Sequence, residues 1–203
     1  MQSASLPDPE QPRPPRGAQR AMQEWEVSLL GRDCREVVSQ LFTEVFTASE
    51  GAQEGLLVGR LASALSALID DQEVIAFGAQ QGACLLGCLF FTRLHFAQHQ
   101  IRIDLLAPLA VSTAHQRQGI GLGLIHHGLQ ELRRRSLAAV LTYGDPAFYG
   151  QAGFRPLAQE VIQPPLQLSR PEGWLGRSLT AEAIPAIPER PTCVEPFRDP
   201  VYW

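Results

Sequence analysis

Apolar and polar residues change their spacing along this chain often enough to divide it into elements. Trp25, Val27 and Leu29 alternate with polar neighbours, which predicts a strand over Glu24–Leu30. Val37, Val38, Leu41, Phe42, Val45 and Phe46 then recur at helical spacing, with Asp33 placed as N-cap and Glu36 three residues on to complete a capping box. A second helix is expected over Leu56–Ile69 and a strand over Glu73–Ala79. Gln81-Gly82 reads as a hairpin turn into a long strand, Ala83–Leu94, whose antiparallel partner is His99–Val111. Helix Ile120–Arg135, strand Ala138–Tyr143, short helix Pro146–Gln151 and a strand from Phe154 follow.

The two ends break this regularity. Residues 1–23 hold Pro7, Pro9, Pro12, Pro14 and Pro15 among polar side chains, too little apolar surface to offset the entropy of ordering, so a disordered leader is expected. Residues 162–203 carry half of the chain's 16 prolines, interleaved with Trp174, Phe197, Tyr202 and Trp203. Proline confines strands to edges, and the aromatics give such a segment something to bury. The expectation is an irregular cover packed on the domain, with one strand near Gly173–Leu179. The whole succession predicts an α/β (α+β) fold in which a mixed, largely antiparallel sheet is flanked by helices.

Composition narrows the function classes. At 203 residues and 45% hydrophobic the chain suits one domain, and a net charge of −4 leaves no basic surplus for nucleic acid or anionic lipid. Neither a signal-like N-terminus nor a long apolar run occurs, so a cytoplasmic, membrane-free protein is expected. Of the four cysteines only Cys84 and Cys88 are close; four apart on a strand they share a face, which favours two small core side chains over a metal site. His126 and His127 are adjacent on a helix and cannot easily bind one metal. Arg133-Arg134-Arg135 closes the same helix, where the dipole favours cations.

The chemistry concentrates at Gln116-Arg117-Gln118-Gly119-Ile120-Gly121, between an apolar strand and a helix. A glycine-bearing turn that opens a helix aims unpaired N–H groups at an anion. No Lys follows, and no third glycine sits in dinucleotide phase. Downstream, Gly144-Asp145-Pro146-Ala147-Phe148-Tyr149 runs on to Gly153-Phe154. The two segments together resemble the signatures of the GNAT superfamily of N-acetyltransferases, in a branch of predicted bacterial members with Gly-Asp-Pro before the aromatic pair. The resemblance covers about Leu105 to Arg155 and makes 24–203 a GNAT-like domain. Where the family usually has Pro, five residues before Gln118, this chain has Thr113.

That resemblance implies acetyl-CoA as co-substrate and no metal. The backbone of Leu109, Ala110 and Val111 would run beside the pantetheine arm, while Gln116, Arg117, Gln118, Gly119, Ile120, Gly121 and Leu122 would wrap the pyrophosphate. Tyr149 would be the general acid that protonates the leaving thiolate, since an ordinary phenol, with a pKa near ~10, is protonated at neutral pH. Asp145 before Pro146 reads better as an N-cap than as a base. The family's acidic base, a dozen residues before the Tyr, is replaced by Leu137; Asp104 and His95 are weak substitutes. The expected activity is transfer of acetyl to a small-molecule or protein amine by direct attack, and no Cys or Ser stands in a nucleophile motif. A non-catalytic CoA-binding module on the same fold is the alternative. Homodimerisation is left open.

Overall fold

The computed structural model describes residues 25–203, and the expected leader lies outside them. Seven strands form one sheet in the order β1-β2-β3-β4-β5-β7-β6. β1 (Glu26–Leu29), β2 (Val74–Gln81), β3 (Cys84–Leu94) and β4 (Ile103–Val111) pair antiparallel in sequence. β5 (Ala139–Tyr143) lies parallel to β4, because the chain crosses back through α3 (Ile120–Arg134). β7 (Trp174–Ser178) is antiparallel to β5 and to the two-residue β6 (Arg155–Pro156). The mixed, mostly antiparallel sheet expected from the sequence is the one observed.

Alternation along the strands feeds two cores. Val74 and Ala76 of β2, with Cys88 and Phe90 of β3, face α1 (Arg35–Glu50) and α2 (Ala52–Ala67). Ile75 and Phe77, with Leu89 and Phe91, face Leu124, Ile125, Leu129 and Leu132 of α3. The C-terminal segment joins the first core. Trp203 donates its indole N–H to the Phe197 carbonyl (2.8 Å) and packs on Trp174, whose own indole donates to the Ile162 carbonyl (2.9 Å). The expected irregular cover is therefore ordered, and its aromatics bury with their polar edges satisfied. Among the described residues no helix is long and apolar enough to cross a membrane.

Several local expectations change. Asp33 sits inside a 3₁₀ turn, Arg32–Cys34, and caps nothing, so the capping box with Glu36 does not form. α2 begins at Ala52, four residues before the expected Leu56, because Gly51 at φ +99° lets one residue end α1 and start α2. Cys84 is exposed at the turn end of the β2–β3 hairpin, opposite Gln81, and a register shift near Ala79/Gln80 takes it off the face of Cys88; Cys88 is core, and all four cysteines are free. The arginines ending α3 are tethered: Arg133 donates to the Leu179 carbonyl, while Arg135 pairs with Glu131 and Asp71. His127 packs edge-on against Phe77.

The α1–α2 pair approaches backbone to backbone at Gly55 and Gly59, where Ser39 Oγ donates to the Gly59 carbonyl (3.1 Å). A Cβ on Gly55 would lie 2.7 Å from Thr43 O and 2.8 Å from Thr47 N, main-chain atoms that cannot rotate away. Gly55→Ala should therefore destabilise the protein by about 1–3 kcal/mol in chemical denaturation, overpacking outweighing the roughly 1 kcal/mol that alanine gains in helix propensity. An unchanged or raised midpoint would contradict this packing.

Candidate active site

β4 loses one neighbour part-way along. Its register with β5 runs from Ile103↔Ala139 to Leu106↔Thr142 and stops there, while its register with β3 continues to Gly87↔Val111. The cause is local. β4 carries an extra residue relative to β3 between Phe91↔Leu106 and Leu89↔Leu109, a bulge that spans Ala107 and Pro108, and Pro108 has no N–H to pair. β4 and β5 consequently diverge into a wedge. Ser112 N–H donates to Leu86 O on β3 (2.8 Å), so alternation turns the N–H groups of Leu109 and Val111 toward the wedge and that of Ala110 toward β3. Of the expected trio, two present donors to a ligand there and the third holds the sheet.

Beyond Val111 the chain makes a 3₁₀ turn, Thr113–His115, and enters α3 through two left-handed residues, Arg117 (φ +60°) and Gly119 (φ +84°). Gln116 Nε2 donates to Val111 O (3.1 Å) and Gln118 Nε2 to Ala114 O (3.3 Å), so both glutamines brace the turn from within. The first amide of α3 to find a helical acceptor is Gly123, on Gly119 O (2.9 Å). The N–H groups of Ile120, Gly121 and Leu122 are left as donors at the positive end of the helix dipole. Open space surrounds the place where a Cβ on Gly119 would stand, whereas one on Gly121 would meet the Phe148 ring at 3.3 Å. Space, donors and dipole fit a diphosphate.

Next to the wedge lies a cavity of about 740 Å³. Leu105, Ala107, Pro108 and Leu109 of β4 line it, facing Tyr143, Gly144 and Tyr149, with Glu50 and Glu54 from the α1–α2 turn and Phe197, Tyr202 and Trp203 from the C-terminal cover. Tyr149 ends α4 (Pro146–Tyr149). Its ring lies over Gly144, where a Cβ would come within 2.6 Å of it, and makes edge-to-face contacts with Phe148 and Phe154. Burial pushes the phenol's pKa up, against a smaller opposing pull from the Thr142 hydroxyl. The group is thus held protonated at neutral pH. Asp145 is the α4 N-cap, its carboxylate accepting from Ala147 N–H (2.8 Å).

Neither weak base candidate reaches the cavity. Asp104 faces Arg93 on β3, Nε to Oδ1 2.7 Å, and at 1% exposure burial pushes its pKa up to about 6 despite that partner. His95 bonds Glu73 (2.5 Å) and bridges to Thr192. Sequence reasoning missed other walls of the cavity: Glu50, Glu54, Tyr143, Arg170, Glu172 and Tyr202. Only the density of aromatics among the C-terminal prolines hinted at them. Tyr143 secures its wall by accepting the Arg170 N–H (2.8 Å) and bonding Ser169 Oγ (2.8 Å). Among the described residues no group of His, Cys, Asp or Glu could hold a metal ion.

Residues 34–154 match the Acetyltransferase (GNAT) family, and the chain belongs to that family. The uncharacterised N-acetyltransferase YjhQ of Escherichia coli (strain K12) is 28% identical over 131 residues, which span 61% of this chain and 72% of YjhQ. YhbS, an uncharacterised N-acetyltransferase of the same strain, is 45% identical over 58 residues, 29% of this chain and 35% of its own. A crystal structure of E. coli YhbS in complex with CoA shares the fold at a TM-score of 0.70 and 21% identity, covering 86% of this chain and 92% of that one. A GNAT family acetyltransferase from Brucella melitensis, in complex with acetyl-CoA, does so at 0.59 and 19%, covering 80% and 93%. The chain is thus an acetyltransferase by family.

The two glycines should fail differently. Gly119→Val forces a β-branched residue to φ +84°, a strain of roughly 1–3 kcal/mol, and closes open space at the donor cluster. It should weaken acetyl-CoA binding at least about tenfold in calorimetric titration. Gly121→Val should weaken binding and also displace Phe148, lowering the melting temperature. Wild-type affinity in both variants would contradict the assignment of this turn to the diphosphate.

Proposed function

We propose that this protein transfers an acetyl group from acetyl-CoA to a primary amine by direct attack, with Tyr149 as general acid. The observation that carries the proposal is the meeting, beside one cavity, of the freed edge of β4 and the Tyr149 phenol. The amides of residues 119–122 would hold the pyrophosphate, with the Arg117 side chain as a helper. Leu109 and Val111 N–H would pair with the pantetheine arm, one of them polarising the thioester carbonyl. The CoA and acetyl-CoA complexes of the two structural relatives support the same donor for this chain.

The amine nitrogen must arrive neutral. Its lone pair attacks the carbonyl carbon, the C–N bond forms and the C–S bond breaks. The departing thiolate takes the Tyr149 proton, and water takes the proton that the new amide nitrogen sheds. Glu50, Glu54 and Glu172 line the cavity with no hydrogen-bond or ion-pair partner among the described residues, and Arg170 is the one cationic side chain there. This balance favours an amine that carries a second cationic centre. The distal charge would sit against the carboxylates, and its repulsion would lower the pKa of the reacting nitrogen. A soluble small-molecule or protein amine in the cytoplasm fits the net charge of −4; nucleic acid and membrane do not.

Tyr149→Phe keeps the ring and its packing and removes the acidic proton. It should retain wild-type acetyl-CoA affinity by titration yet lower turnover by roughly 10²–10⁴-fold. The assay is CoA release across an amine panel in which putrescine should outperform butylamine. Undiminished turnover in the variant would remove the phenol from the chemistry.

A further inference from the structure

Arg177 has no part in the mechanism above, yet it stands where a core residue is expected. Leu175 and Leu179, to either side of it, are buried against α3, and alternation along β7 puts Arg177 on that same face of the sheet. Among the described residues neither Arg177 nor Arg155 of β6 forms an ion pair. Both turn their guanidinium donors to main-chain carbonyls instead. Arg177 Nη1 donates to Ala152 O, while Arg155 Nη1 donates to Gly150 O (3.3 Å) and Phe154 O (2.9 Å). A Cβ on Gly153 would lie 3.5 Å from both Cζ and Nε of Arg177 and 3.6 Å from its Nη1, so the guanidinium lies face-on against that glycine.

These carbonyls belong to the segment that carries the acid. α4 runs on into a 3₁₀ turn, Gly150–Ala152, and the two together are too short to hold their shape as an isolated helix. Asp145 fixes the start: its carboxylate accepts from Ala147 N–H (2.8 Å) and its carbonyl from Tyr149 N–H (3.1 Å). At the far end the Tyr149 carbonyl accepts from Phe154 N–H (3.2 Å), and the carbonyls that close such a turn need donors from outside it, which the two arginines supply. We infer that Arg177 is a positioning residue for Tyr149, clamping the end of this turn so that the phenol stays at the cavity while the C–S bond breaks. The inference rests on the assignment of Tyr149 as acid. Misplacing a reacting group by about 1 Å can cost on the order of 10²-fold in rate. A leucine at position 177 would complete the core and leave the Ala152 carbonyl without this donor.

The test compares Arg177→Met, which keeps an unbranched stem between Leu175 and Leu179 and removes the donors, with Arg177→Lys, which keeps a charged donor but not the planar group. With putrescine as acceptor, Arg177→Met should lower kcat roughly tenfold with KM for acetyl-CoA and for putrescine unchanged, and Arg177→Lys should restore part of the loss. Adding Arg177→Met to Tyr149→Phe should cost nothing more, because the clamp acts only through the phenol. Arg177→Leu replaces the methionine variant in each readout if the latter does not fold. An unchanged kcat, or an equal fractional loss with and without the phenol, would overturn the inference while leaving Tyr149 as acid. A Tyr149→Phe variant as fast as wild type, or a wild-type protein idle across the amine panel, would overturn both.

Discussion

β4 must satisfy its backbone on two sides, and after Leu106 it can do so on only one. The bulge at Ala107-Pro108 keeps β4 in register with β3 but turns it from β5, leaving the Leu109 and Val111 amides facing a gap. A buried N–H without a partner costs about 1–3 kcal/mol, so a gap lined with such groups is stable as a binding surface open to solvent or ligand and not as a closed core. The rest of the molecule is arranged around it. Two hydrophobic layers hold the sheet rigid on either face, α3 starts where the freed strand ends, and α4 brings Tyr149 to the opposite lip.

Charge divides the space on the two sides of the wedge. The α3 end offers backbone donors and a positive dipole, suited to phosphate, while the α1–α2 turn and the Glu172 segment supply carboxylates. An anionic cofactor and a cationic acceptor would then approach from opposite ends and meet at the thioester. The buried Asp104–Arg93 pair lies apart from this gradient and ties β3 to β4.

Much of this was legible in the sequence, and the reasons differ by residue. Strand alternation at Val74–Phe77 and helical spacing along α3 follow from burying one face, which any chain must do in its own order. Gly119 was readable because only a left-handed turn asks for glycine before such a helix, and Asp145-Pro146 because the pair satisfies one helix start. What escaped depends on contacts between distant segments. Asp33 looked like a cap until the preceding turn tightened into 3₁₀ geometry; Cys84 and Cys88 parted company because a bulge altered the register. The mark of the wedge, Pro108 inside an expected strand, was visible, but its meaning required knowing that β5 lay alongside. Glu50, Glu54 and Tyr202 could not be assigned, since nothing local connects the α1–α2 turn to the last residues of the chain.

Hydrogen–deuterium exchange with and without CoA reads the freed amides of β4 and α3 one segment at a time. CoA should slow exchange at Leu109, Val111 and residues 119–122 and leave the β2–β3 hairpin unchanged. Protection confined to other segments, with the β4 edge and the start of α3 exchanging as before, would contradict the assignment of these amides to the cofactor.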